Sequence, residues 1–160
     1  MIDETAADID RIMDVMALAF DPAFGEAWTR RQVVDALTIG NCRYGLLDEH
    51  GNRPVGDAVA AGFFMIRGLF DEAELLLLAV RPAMRGRGLG KKLLESFAED
   101  ARHHGHNRLL LEMREGNPAE FLYRGFGFSQ IGRRVQYYKS IDGNRLDALT
   151  FEKYLSPDHP

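Results

Sequence analysis

Arg85-Gly86-Arg87-Gly88-Leu89-Gly90 runs directly into Lys91-Lys92-Leu93-Leu94. A strand-like run, Glu74 to Val80, precedes this stretch, and a helix-like pattern from about Leu89 to Arg102 follows it. A glycine-rich turn that opens a helix leaves several backbone N–H groups without acceptors inside the helix. With the positive end of the helix dipole, those donors form a site for phosphate. Two common phosphate patterns fail on spacing. A Walker loop needs Gly-Lys followed by Ser or Thr, and here Gly90-Lys91 is followed by Lys92. The dinucleotide fingerprint G-x-G-x-x-G places its third glycine one residue later than Gly86, Gly88 and Gly90 do. The pattern Arg/Gln-x-x-Gly-x-Gly/Ala does fit, through Arg85, Gly88 and Gly90. The competing reading is a surface turn whose arginines serve solubility.

Glu112 is a second chemical candidate. It follows Leu109-Leu110-Leu111 in an apolar strand, near the end at which α/β sheets place their sites. Partial burial there would raise its pKa toward that of a useful base; a salt-bridged strand carboxylate is the alternative. His103, His104 and His106 cluster at the end of the long helix, but no carboxylate or cysteine group accompanies them. The helix dipole and solvent account for them better than a metal does, and no metal is expected. Cys42 is the only cysteine, which rules out an intrachain disulfide and fits a reducing compartment.

Positioning these groups requires a framework, and the chain length of 160 residues fits one domain, residues 1–155, with a loose tail at 156–160. Hydrophobic residues make up 46% and charged residues 28%, as in ordinary globular proteins. A net charge of -4 argues against broad electrostatic binding of nucleic acid. No apolar stretch reaches membrane-span length, and the acidic N-terminus lacks a signal-peptide pattern, so a cytoplasmic location is expected. The apolar stripe Ile9, Ile12, Met13, Met16, Phe20 predicts a first helix capped at Asp8. Thr29 and Gln32 predict a capping box for a helix from Arg30 to Leu37. Strands are predicted at Cys42 to Leu47, Val55 to Ile66, Leu75 to Val80, Arg108 to Met113, Phe128 to Tyr138 and Leu146 to Tyr154. A short helix is expected between Asn117-Pro118 and Gly125. This order predicts a mixed α/β sheet, mostly antiparallel, with helices on both faces.

The ordered set from Leu75 to Phe128 resembles the GNAT (acyl-CoA N-acyltransferase) superfamily. It consists of Leu76 to Pro82, the glycine loop, Leu110-Leu111-Glu112-Met113-Arg114 with Asn117, and Leu122-Tyr123-Arg124-Gly125-Phe126-Gly127-Phe128. Arg133-Arg134-Val135-Gln136-Tyr137-Tyr138, Asp142-Gly143 and Asp147-Ala148-Leu149 are similar to the bacterial ribosomal-protein-alanine N-acetyltransferase family, as is the Trp28-Thr29 step. One departure is a residue fewer between Asn117 and Tyr123. Pro118 suits a first helical turn, so a later helix start would keep Tyr123 in place.

The resemblance implies the GNAT fold and acetyl transfer from acetyl-CoA to an amine. Leu78, Ala79 and Val80 would bind the pantetheine arm as an added strand, with the Val80 N–H toward the thioester oxygen. Gly86, Arg87, Gly88, Leu89, Gly90 and Lys91 would hold the diphosphate together with Arg85, and Asn117 would add a contact. Glu112 would act as base, directly or through water, and Tyr123 as acid at the sulfur. Trp28, Arg133, Arg134, Tyr137 and Tyr138 would shape a peptide cleft. An N-terminal α-amine, with a pKa of about 7.7–8.0, is partly neutral at cellular pH, whereas a lysine amine at about 10.4 is not. The leading expectation is thus a protein N-terminus as substrate, such as that of a ribosomal protein. A lysine side chain, a small amine, or a non-catalytic acetyl-CoA-binding module remain open alternatives. Oligomeric state is not legible in the sequence.

Overall fold

The computed structural model describes residues 4–156. Of the expected loose tail, all but Ser156 therefore lies outside the described residues. Helix α1 spans Glu4–Ala19 and buries Ile9, Ile12, Val15 and Met16. Asp8, expected to cap this helix, instead lies within it and is fully buried. Its carboxylate accepts hydrogen bonds from Tyr44 Oη at 2.6 Å, Arg11 at 2.8 Å and Arg53 at 2.7 Å. Only such complete pairing lets a carboxylate leave water. A 3-10 turn, Pro22–Phe24, is capped by the Asp21 side chain. Helix α2, Arg30–Thr38, carries the predicted Thr29–Gln32 capping box in both directions.

Strand β1 is Cys42–Leu47 and pairs antiparallel with β2, Gly62–Leu69. The strand expected from Val55 therefore begins seven residues late. All six residues of β1 are matched to Gly62 through Arg67, with one further bond from the Ala61 N–H to the Leu47 carbonyl, which leaves no strand partner opposite residues 55–60. That segment is a loop with Val55 and Val59 exposed, its Gly56 and Ala58 carbonyls held by the Arg11 guanidinium. The remaining elements are β3 (Glu72–Val80), α3 (Leu89–His103), β4 (Arg108–Arg114), α4 (Glu120–Phe126), β5 (Ser129–Lys139) and β6 (Arg145–Tyr154). The sheet order is β1-β2-β3-β4-β6-β5, and only the β3–β4 pair is parallel.

Two cores flank the sheet. One, under α3 and α4, contains Leu93, Phe97, Leu111, Tyr123 and Phe151. The other, under α1 and α2, contains Ile12, Met16, Val33, Phe63 and Leu77. Strand β3 changes allegiance between them. Ala73 and Leu75 belong to the first core, whereas Leu77 and Ala79 belong to the second. A bulge explains the change: Met65 faces Leu77 and Ile66 faces Leu75, so Leu76 is the extra residue. One inserted residue turns every later side chain to the opposite face.

Candidate active site

At the bulge the sheet opens. Parallel pairing of β3 with β4 runs from Glu72–Arg108 to Leu75–Leu111 and then stops. Beyond it, β3 stays paired with β2 as far as Val80–Gly62, and β4 stays paired with β6 as far as Arg114–Ala148. The facing edges of the two strands thus part, leaving the β4-facing edge of Leu78 to Val80 without a strand partner. A cavity of about 900 Å³ fills this wedge, reaching from the glycine loop to Tyr123.

The glycine loop forms one end. Among the described residues no acceptor is recorded for the N–H groups of residues 86–91. The helical ladder of α3 begins with the Lys92 N–H to the Gly88 carbonyl at 3.1 Å. Gly86 and Gly88 have φ of +78° and +77°, and an added Cβ at either would meet nothing within 4 Å. The loop is therefore an open cradle of donors, which fits the diphosphate of an acyl carrier. Gly90 serves a different purpose: a Cβ there would lie 2.9 Å from Leu122, so this glycine lets α3 approach α4. Arg85 lines the cavity, but its guanidinium donates to the Val80 carbonyl at 3.1 Å and to the Ala19 carbonyl at 3.0 Å. Its charge ties the end of β3 to the end of α1.

At the other end stand Tyr123, Glu26 and Arg114. Helix α4 starts at Glu120, later than Asn117-Pro118. The Asn117 side-chain carbonyl accepts the Ala119 N–H at 2.9 Å, and its backbone carbonyl accepts the Glu120 N–H at 3.1 Å. Asn117 lines the cavity with its side-chain oxygen already engaged in this turn. The delayed start keeps Tyr123 in the first core and on the cavity wall. Burial pushes its phenol well above the usual tyrosine range, and the negative charge of Glu26 adds to the effect. Tyr123 is thus a neutral O–H donor throughout the physiological range. Arg114 Nε donates to Glu26 Oε1 at 3.2 Å, and its guanidinium lies 3.6 Å from the centre of the Phe24 ring.

Glu112, Arg134, Tyr137 and Tyr138 form a cluster beside the cavity, outside its lining. Glu112 Oε2 lies 3.4 Å from Arg134 Nε and accepts from Thr150 Oγ1 at 3.4 Å. Arg134 also lies over the Tyr137 ring, and Tyr137 meets Tyr138 edge to face. Burial first, then the Glu112 carboxylate, pushes the Tyr138 phenol up to about 12. A bulge aims the paired tyrosines: residues 135–137 fall between the Arg134–Ala148 and Tyr138–Leu146 pairs, with Gln136 at φ +55° and its N–H on Asp147. Arg133 is engaged away from this cluster, with Glu115 and Asp147.

The wedge therefore gathers Leu78, Ala79, Val80, Gly86, Gly88, Leu89, Gly90, Lys91, Asn117 and Tyr123. Arg87 is exposed beside the loop and does not line the cavity. Trp28, assigned to the peptide cleft from the sequence, packs partly buried against the second core. Glu26, Arg114 and the exposed Phe121 line the cavity without having been assigned a part in it. Arg114 shares a strand face with Glu112 at i and i+2, a signal that would have placed it. Glu26 sits in a loop between helices and carries no periodicity.

Residues 10–128 match the acetyltransferase (GNAT) family. The [ribosomal protein bS18]-alanine N-acetyltransferase of Haemophilus influenzae (strain Rd) is 37% identical over 59% of this chain and 64% of its own length. The chain thus spans a little under two thirds of that relative. A Bacillus subtilis (strain 168) protein, provisionally given the same activity, is 32% identical over 89% of this chain and 86% of its own length. The crystal structure of the ribosomal-protein-S18-alanine N-acetyltransferase from Escherichia coli superposes with a TM-score of 0.77 at 26% identity. That match covers 96% of this chain and 91% of the other. A Salmonella typhimurium structure, provisionally an acetyltransferase and solved with acetyl-CoA, matches at TM-score 0.55 and 25% identity, covering 64% of this chain and 62% of that one. The sheet, its parted strands and its helices are the GNAT fold.

Proposed function

The chain belongs to the acetyltransferase (GNAT) family, and on that premise we propose that it transfers the acetyl group of acetyl-CoA to the N-terminal α-amine of a protein. The leading substrate is the alanine terminus of a small-subunit ribosomal protein, the activity named in its relatives; such a reaction would take place in the cytoplasm. The observation that carries this reading is the wedge between β3 and β4, which joins a donor cradle to a buried tyrosine. The N–H groups of residues 86–91 hold the diphosphate. The free edge of Leu78 to Val80 takes the pantetheine arm, placing the thioester near Tyr123. The amine nitrogen attacks the thioester carbonyl, the carbon–sulfur bond breaks, and the electron pair leaves on sulfur. Tyr123 donates a hydrogen bond to that sulfur. A thiol pKa of about 8.5 lies below that of a phenol, so the sulfur is stabilised as a bonded thiolate rather than by full proton transfer. Glu112 stands outside the cavity lining and takes the amine proton through water, while Arg134, Tyr137 and Tyr138 shape the approach of the peptide.

Purified protein supplied with acetyl-CoA and peptides beginning with alanine tests the reading. Acetylation of the free N-terminus, with none on an internal lysine when that terminus is blocked, is expected. Acetylation confined to the lysine would overturn it.

A further inference from the structure

We infer that Glu26 is the anchor of the incoming amine: its carboxylate receives the substrate's α-ammonium in the wedge beside Tyr123. This rests on the N-terminal transfer reading and gives the amine a binding group distinct from the base.

Two acidic residues line the cavity, Asp21 and Glu26. Asp21 already caps the Ala23 N–H at 2.9 Å. Glu26 is bound through one oxygen, Oε1, by Arg114; among the described residues no partner is recorded for Oε2. The pair is held firmly. Glu26 and Arg114 have side chains only 21% and 13% exposed, so the free oxygen is neither buried beyond reach nor diluted by solvent. Arg114 stacks on Phe24, in a turn fixed by Asp21 and by the Ile141 N–H on the Ala23 carbonyl at 2.8 Å. A partly desolvated carboxylate with one vacant oxygen recognises an ammonium through a charge-assisted hydrogen bond.

The location suits the task. Glu26 lines the cavity together with Tyr123, and its charge raises the phenols of both Tyr123 and Tyr138. Glu112 influences Tyr138 alone of these two and is tied to Arg134 and Thr150. Arg114 also tempers the anchor. Its positive charge offsets part of that on Glu26, so the pair attracts an ammonium without holding it protonated as strongly as a lone carboxylate would.

The test compares CoA-loaded wild type and Glu26→Gln by calorimetry, using an alanine-initiated peptide with a free or an acetylated N-terminus. Wild type is expected to prefer the free terminus by about tenfold, and Glu26→Gln to lose that preference. In steady state the variant should raise the peptide KM about tenfold while kcat stays within about twofold. Acetyl-CoA affinity should not change, and Glu26→Asp, which keeps the charge, should recover part of the loss even if Glu26→Gln folds poorly. Full discrimination and an unchanged KM in Glu26→Gln would overturn the assignment of Glu26 alone. A wild-type protein indifferent to the state of the terminus would overturn the N-terminal reading, and the anchor with it.

Discussion

The two ends of the wedge are made of different material. The end proposed to hold the diphosphate is backbone: consecutive N–H groups of residues 86–91, exposed because two glycines adopt positive φ and a helix begins there. The end proposed to receive the amine is assembled from side chains that are distant in sequence. Glu26 comes from the loop before α2, Arg114 from β4 and Tyr123 from α4, with Arg134 and Tyr138 of β5 beside the cavity rather than in its lining. A backbone site binds what every acyl-CoA carries, so it can be local and uniform. A side-chain site decides which amine is accepted, and it draws on elements that can vary independently.

This contrast can be broken by substitution. Gly88→Glu should have the largest effect, because it forces a side chain into a left-handed backbone and puts a carboxylate in the cradle. A loss of acetyl-CoA affinity of at least about 100-fold, or about 2.7 kcal/mol, is expected by calorimetry. Unchanged affinity would remove the loop from the site. Tyr123→Phe acts at the other end and should lower kcat about 100-fold with cofactor affinity intact. A wild-type rate would exclude the phenol from the reaction. Glu112→Gln should lower kcat about tenfold, a smaller effect because the group works through water; a change in peptide KM alone would recast it as a binding residue.

The smallest effect on chemistry is expected at Asp8, which joins α1 to β1 and the 53–58 loop. Burial works to raise the pKa of this carboxyl, but hydrogen bonds from Tyr44 and Arg11 and the charge of Arg53 outweigh it, leaving the pKa below the usual value. Its contribution to stability is therefore complete above the unfolded pKa of about 3.9 and is lost as pH falls through the lower folded value. Asp8→Asn should cost about 3 kcal/mol at pH 7, with the gap to wild type closing as pH drops below about 4. Thermal melts across that range check both the size and the sign. An equal gap at every pH would show that the lost contribution is packing rather than charge.

Legibility in the sequence followed the same division. The glycine loop, the Thr29–Gln32 capping box and the bounds of β1 depend on neighbours in the chain, and each could be read directly. The later start of α4 was expected from Pro118, although Pro118 lies in the turn before the helix rather than in its first turn. What escaped depends on distant partners. Val55 to Ala60 has the composition of a strand, but β1 is too short to pair with it. Asp8 reads as a helix cap until Arg53 and Tyr44 are known to converge on it. The bulge at Leu76 lies inside an unbroken run of leucines, where no pattern marks an extra residue, although it coincides with the opening of the wedge. Glu26 lines the cavity paired with Arg114, 88 positions away, a contact that no local pattern marks.

A crystal structure with bound acetyl-CoA tests the central claim most directly. The diphosphate is expected on the N–H groups of residues 86–91, the pantetheine arm along Leu78 to Val80 between β3 and β4, and the sulfur within hydrogen-bonding reach of Tyr123. A ligand bound outside the wedge, or seated with its thioester turned away from Tyr123, would contradict it.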